Sequence, residues 1–274
     1  MELILKNIYD RLFKVFGPQH WWPAETPFEV IVGAVLTQNT NWGNVEKALS
    51  NLKERQCLSF RAIHALAHAP LASLIKPAGY FNVKAKRLKN LINFIFENYD
   101  GSLQKMARDP WDSLRQKLLG VNGIGPETAD SILLYAFDKP VFVVDAYTKR
   151  VLYRHNIVAQ ETDYHAIQDV FMRHLDHDSK MFNEYHALLV RLGKDYCKPS
   201  PLCEQCPLND LNYSLVNKCC HCHKALFRKT ERIAFKRSTD FLKGDVKRGS
   251  LQRNRPRYLC SGCLSGVRER IHGD

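Results

Sequence analysis

Asp145 directly follows the apolar run Val141-Phe142-Val143-Val144 and opens a helical pattern, about twenty residues downstream of the tight turn Gly123-Ile124-Gly125. A carboxylate fixed there can act on a substrate as an anion or a base, or it can serve only as the N-cap of the helix behind it. Gly120, Gly123 and Gly125 offer a second chemistry, because glycines turn the backbone sharply and leave N–H groups at a helix N-terminus, where the dipole also favours a phosphate oxygen. Taken alone, such a turn is more commonly an ordinary helix-helix connection. Thiols supply the third chemistry. Eight of the nine cysteines follow residue 196, in C-x-x-C-like spacings that favour metal ligation in a reducing compartment over a disulfide scaffold. Cys219-x2-Cys222 and Cys260-Ser261-Gly262-Cys263, with 37 residues between the pairs, read as the two knuckles of a zinc ribbon with tetrahedral thiolate ligation. His221 and His223 compete as ligands but read more naturally as solvent-exposed bystanders of the knuckle. Cys57 stands apart and is expected to be a buried apolar residue.

The elements that must carry these residues are almost all helical over the first two hundred positions. Thr26-Pro27-Phe28-Glu29 combines a capping threonine, a proline at the first helical position and a glutamate placed for a capping box, which predicts a helix over about 27–38. Asn82 precedes Lys84, Lys86, Arg87 and Lys89 set among Leu88, Leu91, Ile92, Phe94 and Ile95, an amphipathic helix with one basic side. Asp109-Pro110 starts another, and further helical patterns cover roughly 127–136, 146–155, 163–175 and 181–194, with only Val141 to Val144 looking extended. After the cysteine cluster, Ile233-Ala234-Phe235 and Arg257-Tyr258-Leu259 suggest short strands in a small separate module.

A chain of 274 residues, 45% of them apolar, can build one large domain or two smaller ones with real cores. Met1 to Phe16 reads as an amphipathic helix rather than a secretory signal, and no run approaches membrane-spanning length, so a cytoplasmic, soluble monomer is expected, nucleoid-associated in a prokaryote. The net charge of +12 is unevenly placed: residues 218–274 hold 15 Lys and Arg against 5 Asp and Glu, and the rest of the chain is nearly neutral. A basic segment of this kind is an electrostatic footprint for nucleic acid, or a solvated tail with no specific ligand.

The stretch Leu118 to Val151 resembles the helix-hairpin-helix DNA glycosylases, matching their hairpin and catalytic-aspartate pattern at Gly123, Ile124, Gly125, Ala129 and Asp145, with Val121 where the pattern has leucine. Weaker similarity to endonuclease III extends over about residues 20–210. The resemblance implies a helical, helix-hairpin-helix fold, double-stranded DNA with a damaged base as partner, and no membrane. It gives Asp145 the catalytic role, stabilising oxocarbenium charge or polarising the attacking water, and it gives Gly123, Ile124, Gly125 and Thr128 the phosphate contacts. Members that also cut the backbone carry a nucleophilic lysine where this chain has Glu127. A monofunctional enzyme is therefore expected, with Glu127 as a first-turn helix acid.

Trp21-Trp22-Pro23 and the stretch from Phe28 to Thr40 look like the 3-methyladenine DNA glycosylases of the endonuclease III type. By that resemblance Trp21 and Trp22, with Trp42, line a pocket for a flipped base and Gln38 fills the vacated stack; alternatively the tryptophans only cap the core. Mismatched or deaminated pyrimidines are the alternative to an alkylated purine, and a noncatalytic DNA- or RNA-binding protein is the alternative to an enzyme. Cys197-x5-Cys203-x2-Cys206 resembles the iron-sulfur loop of endonuclease III, one residue short in the first gap and with Asn212 where the fourth cysteine belongs. Cys219 or Cys220 can complete a [4Fe-4S] set, and assigning Cys220 to it leaves Cys219, Cys222, Cys260 and Cys263 for zinc. The expected organisation is a helical glycosylase body over 1–196, an iron-sulfur loop over 197–217, and a basic zinc-ribbon-like β module over 218–274 whose Arg253, Arg255 and Arg257 contact DNA.

Overall fold

The computed structural model describes residues 1–211 and the backbone of two short strands, 233–235 and 257–259. In chain order the helices are α1 (Glu2–Phe16), α2 (Pro27–Leu36), α3 (Trp42–Glu54), α4 (Phe60–Ala65), α5 (His68–Leu74) and α6 (Phe81–Tyr99), then α7 (Leu103–Ala107), α8 (Trp111–Leu119) and α9 (Pro126–Ser131). They are followed by α10 (Ala146–Arg154), α11 (Tyr164–Met172) and α12 (Ser179–Asp195). The strands β1 (Ile233–Phe235) and β2 (Arg257–Leu259) pair antiparallel, Ile233 opposite Leu259. Two compact units form: residues 1–148 with 164–209, and residues 149–163 with 210–274. No helix of the described residues is long and apolar enough to cross a membrane.

α2 is the hub of the first unit. Thr26 caps it by accepting from Glu29 N–H, and Pro27 occupies its first position. The reciprocal half of the capping box differs from expectation: Glu29 reaches one residue further back, to the Glu25 N–H at 3.1 Å, and also meets Lys53 at 2.9 Å. Every residue from Phe28 to Leu36 is buried, as a helix apolar on all sides must be, and it packs against α3, α6, α9 and a π turn over Ile132–Ala136. α1 instead buries a single stripe, Leu5, Ile8 and Leu12, against α12, where Tyr185 Oη donates to the Leu5 carbonyl at 2.8 Å.

α6 departs from the amphipathic reading. Lys84 is 1% exposed and donates to the Leu36 and Ala78 carbonyls at 2.8 and 2.7 Å, closing the C-terminus of α2. Lys89 likewise donates to the carbonyls of Ile63, His64 and Leu66. Only Lys86 of the four cations is fully exposed, so the basic side serves mainly to bind main-chain carbonyls left open at helix ends. Cys57 also corrects its expectation: it is half-buried rather than part of the core, its thiol donating to the Arg55 carbonyl at 3.2 Å.

Val141 to Val144 form no strand. Side chains hold them instead: Gln168 Nε2 donates to the Phe142 carbonyl at 2.7 Å, and Tyr164 Oη accepts from Val144 N–H at 3.4 Å. Both side chains are anchored on Asp130, which is fully buried, at 2.8 Å each. Arg115 completes the group with a two-pronged bond to Asp130, Nε at 2.6 Å and Nη2 at 3.0 Å. This buried polar network sets the position of the residue that follows, Asp145.

Candidate active site

The turn between α8 and α9 is built as its glycines predict. Gly123 has φ 96°, and a β-carbon there would stand 2.3 Å from Arg87 Cγ, so glycine is required both by conformation and by the close approach of α6. Gln38 ties the turn to α2 and α6: its Nε2 donates to Gly123 O at 3.1 Å and Thr128 Oγ1 at 2.9 Å, while its Oε1 accepts from Arg87 Nη1 at 2.5 Å. Asn90 on α6 donates to the Asn122 carbonyl at 3.0 Å. The pattern expected to be one helix over 127–136 is two pieces, the short α9 and the π turn. Such turns rotate the side chains they carry, and this one carries Tyr135.

Asp145 does both things its position allows. Oδ1 accepts from the Thr148 N–H at 2.7 Å and so caps α10. Oδ2 faces His186 Nε2 on α12 at 3.7 Å, too far for a direct hydrogen bond. On its other side the His186 ring meets Tyr135 Oη at Nδ1, 2.5 Å away. If the hydroxyl donates to Nδ1, the ring proton lies on Nε2; if the ring is charged, both nitrogens carry one. Both of these arrangements aim an N–H at Asp145, whereas a neutral ring protonated on Nδ1 donates to Tyr135 Oη and turns a bare Nε2 to the carboxylate. Burial pushes the Asp145 carboxyl up, and His186 together with the Thr148 N–H more than reverses this, leaving it below its usual range and ionised. Burial and the nearby Asp145 raise Tyr135 well above the ordinary phenol range.

The tryptophans gather beside this line. Trp22 packs edge-on against Trp42 at 5.1 Å and against the Tyr135 ring at 5.0 Å, and Trp21 lies 5.6 Å from Trp22 and 6.4 Å from Trp42. Trp42 Nε1 is occupied by Glu46 at 2.9 Å. Among the described residues, the buried side-chain atoms without a hydrogen-bond partner are Trp21 Nε1, Trp22 Nε1, Thr148 Oγ1 and His186 Nε2. All four belong to this one cluster, the usual sign of a site that offers polar groups to something other than its own fold.

Glu127, at the second position of α9, is exposed to solvent. The protein around it, and then the charge of Asp145, push its carboxyl up to about 7 against the opposing pull of His186, a rise that solvent at the exposed side chain screens. The α9 N-terminus favours the ionised form by roughly 0.3–1 kcal/mol, less than one pKa unit, and does not reverse the direction. His186 and Tyr135, which the sequence did not single out, are candidates that the structure brings to Asp145, and Glu127 sits in the first turn of α9, as the sequence leads one to expect.

Residues 32–176 match the family described as HhH-GPD superfamily base excision DNA repair protein. The chain belongs to this superfamily. A protein of Methanocaldococcus jannaschii, whose name assigns it provisionally to the DNA repair glycosylases, is 48% identical over 211 residues, spanning 76% of this chain and 95% of its own length. Endonuclease III of Thermotoga maritima is 32% identical over 76% of this chain and 91% of its own. Among solved structures, the HhH-GPD fold is similar to H. pylori 3-methyladenine DNA glycosylase bound to 1,N6-ethenoadenine, with TM-score 0.60, 31% identity and coverage of 70% of this chain and 95% of that one. It is also similar in fold to endonuclease III in a trapped covalent DNA intermediate, with TM-score 0.68 and 23% identity.

Three thiols lie on the loop after α12. Cys197 is buried, Cys203 exposed and Cys206 half-buried, and none is in a disulfide. Burial raises the Cys206 thiol, its neighbours Cys197 and Cys203 add to this, and the Leu208 N–H donates to its sulfur at 3.4 Å. Three thiols on one loop, with a backbone N–H aimed at sulfur, suit a thiolate-held group, although no three candidate ligands among the described residues stand close enough to hold a single ion. Cys219, Cys220, Cys222, Cys260, Cys263, His221, His223, Arg253 and Arg255 lie outside the described residues, and Arg257 is described only as backbone in β2.

Proposed function

We propose that the protein is a monofunctional DNA glycosylase that flips a damaged base, an alkylated purine above all, from double-stranded DNA and hydrolyses its N-glycosidic bond. The observation that carries this reading is Asp145, bonded on one oxygen by the Thr148 N–H and presenting the other, ionised, to His186, whose partner Tyr135 packs against Trp22 of the tryptophan cluster. The anion stabilises oxocarbenium charge and accepts the proton of the attacking water. A cationic purine gains from stacking on the tryptophan faces. Gly123, Ile124, Gly125 and Thr128 hold phosphate, and Gln38, already seated on that turn, enters the gap left in the stack.

The basic C-terminal segment, with Arg253, Arg255 and Arg257, adds phosphate contacts. Cys197, Cys203 and Cys206, completed by Cys220, would hold a [4Fe-4S] cluster that fastens the loop to α12; Cys219, Cys222, Cys260 and Cys263 would hold zinc in a small ribbon. Both are structural groups in this reading, and Asp145 carries the chemistry without them.

Incubation with a panel of duplexes, each with one lesion, tests the activity. Base release should leave an abasic site that breaks only in alkali, and borohydride should trap no covalent complex, because Glu127 replaces the amine. Efficient trapping would refute the monofunctional assignment.

A further inference from the structure

His186 is buried on α12, 5% exposed, and a ring nitrogen so placed is expected to be hydrogen-bonded. Nδ1 is, with Tyr135 Oη at 2.5 Å; Nε2 has no partner among the described residues and faces Asp145 Oδ2 at 3.7 Å. Oδ2 itself is open, since the Thr148 N–H bonds the other oxygen, Oδ1, at 2.7 Å. Two polar atoms 3.7 Å apart are too far for a direct bond, yet closer than two hydrogen bonds of about 2.8 Å laid end to end, so a single oxygen atom can bond both. The ring is tied against closing that gap: its far side is held by Tyr135, which the π turn carries and which packs against Trp22 at 5.0 Å, and α12 packs on the same turn. The ionised Asp145 favours ring forms with a proton on Nε2 over the one that turns a bare nitrogen to it.

We propose that His186 is a further catalytic residue, whose Nε2–H holds the hydrolytic water against Asp145 Oδ2, and that Tyr135 positions its ring for this. The inference rests on the glycosylase reading and assigns the place of its nucleophile. A water molecule there accepts from His186 and donates one proton to Asp145, which leaves its second lone pair for the sugar. The C1′–N bond breaks with its electron pair going to the base, so that a cationic base departs neutral. The water oxygen bonds to C1′ and the proton it gave to the hydrogen bond passes to Asp145. Exchange with solvent then discharges Asp145. His186 supplies direction rather than basicity in this scheme. It also supplies selectivity, because the side chains on either side of the gap are 6% and 13% exposed and leave little room for a nucleophile larger than water.

The test follows single-turnover release of 3-methyladenine by the full-length protein in dilute methanol. Attack by water leaves an abasic site that breaks in alkali, whereas attack by methanol leaves a methyl glycoside that does not, so the alkali-resistant share of released sites reports which nucleophile entered. His186→Asn keeps an amide near the place of Nδ1 for Tyr135 but nothing at Nε2. Release should fall about 10-fold, the worth of one hydrogen bond, and the alkali-resistant share should rise severalfold, with binding to the lesion duplex unchanged. His186→Gln sets an amide N–H near the place of Nε2 and should restore most of both values. Should the asparagine variant fail to fold, Tyr135→Phe keeps every ring in place and should slow release about 10-fold with the share unchanged. Equal rates in the asparagine and glutamine variants, or a share that does not move in His186→Asn, would reduce His186 to packing and overturn the proposal, as would release at the wild-type rate by Tyr135→Phe. Release of no base by the wild type from any lesion duplex would overturn the glycosylase reading itself.

Discussion

Asp130→Asn probes how the fold aims Asp145. Asp130 is fully buried and its two oxygens receive four donors: Arg115 Nε at 2.6 Å on Oδ1, and Arg115 Nη2 at 3.0 Å with Tyr164 Oη and Gln168 Nε2, each at 2.8 Å, on Oδ2. The amide is the same shape but neutral, and either way round it sets an NH2 against a donor. The better choice places it at Oδ1, losing the Arg115 Nε bond and leaving the guanidinium, whose side chain is 10% exposed, without its counter-charge. Breaking a buried pair from one side costs about 3–5 kcal/mol, a large part of a typical 5–15 kcal/mol stability. The melting temperature should fall on the order of 10 °C by calorimetry. Because Gln168 and Tyr164 also hold Phe142 O and Val144 N–H, base release should slow in the folded variant well below its melting point. A melting point within about 2 °C of wild type would refute the argument, since it would mean that the buried charge needs no partner.

Gly123→Ala should lose about 1–2 kcal/mol from the left-handed strain alone, more from the Arg87 contact, and should weaken DNA binding; urea titration and fluorescence anisotropy check this. Lys84 is pushed down by burial, and then by Arg87, to about 8, below its unfolded value, so the unfolded chain binds more protons between those two values and the Lys84 contribution to stability should rise as pH rises through that window. Lys84→Met should lack that rise, seen as a difference in unfolding free energy from wild type that changes with pH across that window and is constant below it. Purified protein should hold about four iron and one zinc per chain. Cys203→Ser should lower iron alone and Cys263→Ser zinc alone, by elemental analysis; loss of both metals from either variant would overturn the partition.

The parts of the fold written in local residue types were legible. Thr26 and Pro27 mark the start of α2, the glycines mark the turn before α9, and Asp145 after four apolar residues marks the head of α10. What was not legible depends on partners distant in sequence. Lys84 looks like a solvated lysine until α2 and the turn at Ala78 bring two carbonyls to its amine. His186 sits in an ordinary helical run and reaches Asp145 only because α12 packs beside the π turn. Tyr135 has no local signal at all, since a turn with one extra residue is set by packing. Val141 to Val144 looked like a strand because four apolar residues with three valines favour one, but the ladder they need is replaced by Gln168 and Tyr164.

The most direct test of the account is single-turnover base release by Asp145→Asn. Asparagine keeps an oxygen for the Thr148 N–H, so the cap on α10 and the fold should survive, and binding to lesion duplex should stay within about threefold, because the proposed phosphate contacts lie on the turn before α9. Release should fall about 100-fold or more, the usual worth of a carboxylate placed at developing positive charge. Release at the wild-type rate, with binding intact, would reduce Asp145 to a helix cap and contradict the account.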